Sequence, residues 1–137
     1  MKGDDDFMVI VAVDPNKSDL KLLVKYLRLA FEDCTVVMFS DPAEAASYMQ
    51  ETPVDVLYTE VVMGRMTGFG LQAAAMAVQP AVLTVFLSDT AEFAQKALQT
   101  RAVGYIKKPL TKEAVLQSLD DTKFGRTKAA QAKINFS

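Results

Sequence analysis

The 137-residue sequence has no histidine, no tryptophan and a single cysteine, Cys34. One cysteine cannot close an internal disulfide, and nothing near it argues for a reactive thiol. Without histidine, ordinary zinc sites, Ser-His-Asp triads and Cys-His pairs are excluded. No apolar run approaches the roughly 20 residues of a membrane-spanning helix. The start, Met-Lys-Gly-Asp-Asp-Asp, is too acidic for a signal peptide, so a cytoplasmic setting is expected. Excess positive charge is also lacking. A net charge of −2 argues against nucleic acid as a direct partner of the whole domain. What remains is a globular composition, 50% hydrophobic and 23% charged, of a length suited to one domain. Any chemistry must rest on carboxylates, lysines, hydroxyls and the backbone.

Two kinds of segment alternate along the chain. Residues 7–13 (FMVIVAV) form a continuous apolar run, the pattern of a strand buried on both faces. Residues 18–31 carry Leu20, Leu23, Val24, Leu27, Ala30 and Phe31 at helical spacing. A second strand is expected at 35–39. Asp41 then caps a helix with Pro42 at its first position, running to about Met49. Strands at 54–61, 81–87 and 103–107 alternate with helices at 71–78, 90–101 and from Thr111 to about Leu119. Asp89 and Glu92 suggest a capping box for the fourth helix. Thr111 is the expected N-cap of the fifth, with Leu110 and Val115 as its hydrophobic staple. The expected fold is α/β: a doubly wound, five-stranded parallel sheet of five βα units, flavodoxin-like in architecture. Residues 1–121 make the domain. Residues 122–137 hold four cations (Lys123, Arg126, Lys128, Lys133) and no acid, and read as a linker or an extension of the last helix.

Such sheets carry their working site outside the carboxyl ends of the strands. Those positions hold Asp14 after strand one, Glu60 after strand three, Ser88 after strand four, and Lys107, Lys108 and Pro109 after strand five. Here the sequence resembles the receiver domains of bacterial two-component response regulators. The most specific stretch is 104–110 (GYIKKPL), similar to the family's aromatic-x-x-Lys-Pro signature. Residues 53–68 resemble the strand and loop around the phosphorylated aspartate. The resemblance implies that Ser88, Tyr105 and Lys108 match the hydroxyl, the switch aromatic and the lysine of the family. It also implies a contact surface built by helix 4, strand 5 and helix 5.

The departures are informative. The family has two adjacent Mg²⁺-binding acids after strand one; Asp14 matches the first and Pro15 takes the second position. Glu60 stands where the family has its acceptor aspartate. Mg²⁺ demands oxygen ligands in near-octahedral geometry, and a proline side chain supplies none. The glutamate carboxylate lies one methylene, about 1.5 Å, further from the backbone. Displacements of about 1 Å can cost about 10²-fold where attack geometry matters. The expectation is an atypical receiver that signals by protein contact, is not an enzyme, binds no cofactor (Mg²⁺ weakly if at all, through Asp14 and Glu60) and is not phosphorylated. A homodimer is an open option. The competing expectation is an active, Mg²⁺-dependent phosphoacceptor that regulates an output domain.

Plainer readings stand beside these. Asp14 suits a turn, Glu60–Lys108 suits a structural ion pair, Ser88 suits the position before a cap, and Tyr105 suits the core. A further expectation is that Glu60, met by Lys108 and Ser88, partly mimics a phosphorylated aspartate. A flavodoxin would need a hydroxyl- and glycine-rich loop after strand one. A haloacid-dehalogenase-like phosphatase would need an aspartate at position 16, which is Asn16.

Overall fold

The computed structural model describes residues 8–30 and 33–118. Its elements run β1 (Met8–Val13), α1 (Lys17–Ala30), β2 (Cys34–Phe39), α2 (Pro42–Glu51), β3 (Val56–Glu60), α3 (Gly68–Val78), β4 (Leu83–Ser88), α4 (Ala94–Gln99), β5 (Gly104–Lys107) and α5 (112–118). The five strands are parallel, in the order β2-β1-β3-β4-β5. The chain turns outward in both directions from the β1–β3 pair, so the carboxyl ends of these two strands flank the switch point.

The apolar run of β1 divides between two faces. Ile10 and Ala12 pack with Leu20, Leu23 and Leu27 of α1 and Val115 of α5. Val11 and Val13 pack with Ala45 and Met49 of α2 and Leu71 and Ala75 of α3. Alternation of side chains along a strand makes both faces apolar at once. A third cluster joins Val61, Phe86 and Ala97 beneath α4.

Several boundaries move. β3 is shorter than expected, because the Val54 N–H donates to the Gln79 side chain and ladder pairing begins at Val56. α3 begins three residues early, at Gly68, capped by Thr67, whose hydroxyl accepts from the Gly70 N–H. The early start has a steric condition: a Cβ at Gly68 would lie 2.4 Å from the Glu60 carbonyl oxygen. Only glycine lets α3 begin against the end of β3.

The capping box at Asp89 and Glu92 does not form. The Glu92 N–H donates to the Thr90 hydroxyl, residues 89–93 form turns and bends, and α4 starts at Ala94 without a side-chain cap. Asp41 and Thr111 do cap their helices, accepting from the Ala43 and Ala114 N–H groups. Leu110 and Val115 are both buried in the same cluster. Phe7, Phe31 and the basic stretch 122–137 lie outside the described residues, as does the division at residue 121.

Candidate functional site

Four strand ends bring polar side chains to one cleft of about 480 Å³. It is lined by Asp14, Pro15, Asn16, Asp19, Glu60, Val62, Asp89, Lys108 and Pro109. Asp14 is carried by the end of β1, where its N–H still donates to Phe39. Glu60 ends β3. Lys108 follows β5, and its N–H prolongs the β4–β5 ladder by donating to the Ser88 carbonyl. Asn16 opens α1, its side-chain oxygen accepting from the Asp19 N–H, which places Asp19 in the first helical turn.

Lys108 is the centre of the arrangement. Its Nζ lies 2.7 Å from Asp14 Oδ2, 2.9 Å from Asp19 Oδ2 and 2.7 Å from Glu60 Oε1. The second oxygens of two of these carboxylates are held by backbone. Asp14 Oδ1 accepts from the Asn16 N–H at 2.9 Å. Glu60 Oε2 accepts from the N–H groups of Val61 at 2.7 Å and Val62 at 3.1 Å.

Burial works against charge on both Asp14 and Lys108. It pushes the Asp14 carboxyl above the usual 3.8, outweighing the bonds from Lys108 and Asn16 that favour ionisation; the nearby Glu60 charge adds to the rise. Burial opposes the Lys108 ammonium too. The bonds to Asp14, Glu60 and Asp19 outweigh it, and the lysine ends well above its ordinary 10.5. The difference is one of partners: Asp14 has one ammonium, whereas Lys108 has three carboxylates.

The structure brings Asp14, Glu60 and Lys108 together and leaves Ser88 aside. Ser88 is fully buried, and its hydroxyl accepts from the Thr90 N–H at 3.2 Å; among the described residues it makes no hydrogen bond to Glu60. The expected Ser88–Glu60 contact is therefore corrected: the plainer reading, a residue ordering the turn after β4, describes it. Tyr105 is half-buried beside Phe86 and Ala97, and its hydroxyl donates to the Thr90 carbonyl. The Ser88 and Tyr105 side chains thus both fasten the Thr90 backbone. Asp19 was not anticipated. Its only signal was an acid in the first turn of the helix that follows Asp14.

A divalent ion does not fit this donor set as it stands. Pro15 offers no side-chain oxygen, and an ammonium fills the space between Asp14 and Glu60.

The family model of the response regulator receiver domain matches residues 10–120. Among curated proteins the chain is similar to the transcriptional regulatory proteins GlrR and QseF of two Escherichia coli strains, 31% identical to each over 114 residues. The match takes in 82% of this chain and 25% of each relative, so the chain spans about a quarter of their length. Among solved structures it is similar to a CheY-like receiver domain protein of Methanospirillum hungatei. That match has a TM-score of 0.79 at 18% identity and covers 90% of this chain and 98% of the other. The response regulatory domain of mrkE from Klebsiella pneumoniae also gives 0.79 at 18% identity, covering 88% and 99%. A Burkholderia pseudomallei response regulator, solved with a phosphorylated aspartic acid, a calcium ion and citrate, gives 0.71 at 22% identity, covering 93% and 75%. At these identities the structures speak for the fold alone.

Proposed function

The chain belongs to the response regulator receiver domain family, and from that premise we propose that it signals by protein contact without taking up a phosphoryl group. One observation carries the proposal: every oxygen of the Glu60 carboxylate is engaged. Oε1 faces the Lys108 ammonium, and Oε2 faces two backbone N–H groups. A nucleophile must offer a free lone pair in line with the phosphorus, and transfer depends on positioning and charge stabilisation. Here three of the carboxylate's roughly four lone-pair sites are engaged, and the charge-stabilising lysine is already neutralised. Pro15, Val62 and Pro109 in the cleft lining bring no donor side chain for phosphoryl oxygens.

The contact surface is the face made by α4, β5 and α5. Leu98 of α4 is 75% exposed. Between β5 and α5 lies a hollow of about 270 Å³, lined by Tyr105, Lys107, Ala114 and Gln117 among others. An apolar anchor with a charged and amide rim suits a protein partner. A second copy of the chain is one such partner, and the setting is the cytoplasm. The relatives' names, transcriptional regulatory proteins, support an output domain elsewhere in a longer chain.

Incubation with acetyl phosphate and Mg²⁺, followed by intact-mass measurement, tests the reading. The expected result is an unchanged mass. A stoichiometric gain of one phosphoryl group would overturn it in favour of an active phosphoacceptor.

A further inference from the structure

We propose that the Lys108 ammonium is the resident cation of this cleft, with Asp19 built in as its third carboxylate. The inference rests on the receiver reading of the site and deepens it, by stating what stands where the family places a divalent ion. An ammonium has three N–H donors and no more. Three carboxylates surround it here, from the end of β1, the first turn of α1 and the end of β3, and the Asp14 contact is a hydrogen bond. The acid missing at Pro15 is thus replaced from a different element.

The spacing supports the same conclusion. The three N···O distances are 2.7–2.9 Å. Oxygens at that range suit an ammonium; Mg²⁺ draws its ligands to about 2.0–2.1 Å and Ca²⁺ to about 2.3–2.6 Å. A divalent ion at the same centre would meet the lysine charge at contact distance. It would enter only after Lys108 had left. Because the lysine is tethered to the chain, the cleft carries its counter-charge at every external ion concentration.

Lys107 provides an internal standard. It is exposed at the end of β5, whereas the Lys108 side chain is 11% exposed. Treatment of the whole chain with an amine-reactive ester, read by peptide mass spectrometry, reports on both. Lys108 is expected to react about tenfold or more slowly than Lys107, since its nitrogen is enclosed by three carboxylates at 2.7–2.9 Å and its side chain is 11% exposed. Millimolar MgCl₂ is expected to leave that ratio unchanged. Asp19→Asn is expected to raise Lys108 labelling while Lys107 stays constant.

Equal labelling of the two lysines in the unmodified chain would overturn the proposal, as would release of Lys108 by MgCl₂ or an Asp19→Asn variant that labels like the parent. The arms without substitution do not depend on the variant folding. Phosphorylation is read separately: a phosphoryl gain with Lys108 still protected overturns the reading of the preceding subsection alone. Release of Lys108 by MgCl₂ with no phosphoryl gain overturns the present one alone.

Discussion

Asp14 gives one oxygen to the Asn16 N–H and the other to Lys108, so its turn role and its cleft role are the two ends of one side chain. The same pairing predicts an asymmetry between substitutions. Asp14→Asn keeps the acceptor for Asn16, relieves a buried charge, and leaves Lys108 with two carboxylates. A stability change of about 1 kcal/mol or less is expected. Lys108→Met removes the only cation that, among the described residues, lies between Asp14 and Glu60, and leaves both carboxylates buried without it. Breaking a buried ion pair from one side costs about 3–5 kcal/mol. Urea unfolding of the two variants at neutral pH checks the ordering, and equal losses would contradict it. Glu60 belongs to this scale too. Its expected partner Lys108 is present, while its second oxygen is taken by Val61 and Val62 N–H groups. No residue type at positions 61 and 62 announces that contact, because every non-proline residue brings the same N–H.

At the scale of elements, the sequence pattern placed strands and helices to within a few residues. It erred where side chains compete with the backbone. Gln79, the C-cap of α3, is the clearest case. Its Oε1 accepts from the Val54 N–H at 2.7 Å, and its Nε2 donates to the Met49 and Thr52 carbonyls, each at 2.7 Å. One amide thus ties the end of α2, the entry to β3 and the end of α3, and it delays the start of β3. Gln79→Ala removes three hydrogen bonds, each worth about 0.5–1.5 kcal/mol net, and is expected to lose about 2–3 kcal/mol. The denaturant midpoint is expected to fall with an unchanged slope. A midpoint matching the parent would show the clamp to be idle. The missing capping box at Asp89 has a related cause: the turn after β4 is organised by the Ser88 hydroxyl and by Tyr105, through Thr90.

For the whole molecule, the two-faced sheet sets the fold and the cleft sets its dependence on pH. The Lys108 pKa is raised above 10.5, so its stabilising contribution is present in full below that pH and is lost as pH climbs through the raised value. The free-energy gap between the parent chain and Lys108→Met is therefore expected to hold steady from neutral pH to about 10.5 and to narrow above it. Asp14 acts in the opposite sense at the acid end. Its raised pKa means that the folded state retains its proton longer than the unfolded chain, so stability falls as pH rises through the interval above 3.8. Relative to Asp14→Asn, the parent chain should lose ground across that interval, as read by unfolding curves at stepped pH. A gap that did not vary with pH would speak against both assignments.

The sequence by itself determined the alternation of apolar strands and amphipathic helices, the parallel sheet it implies, and the positions of Asp14, Glu60, Ser88 and Lys108 at the strand ends. These follow from periodicities of two and 3.6 residues, which are local and survive without knowledge of neighbours. Only the tertiary structure decided that Asp19 joins the cleft, that Ser88 serves Thr90 and not Glu60, and that Gln79 clamps two distant segments. Each of these is a choice among several chemically competent partners. It is settled by how elements far apart in the chain approach one another, which residue type does not encode.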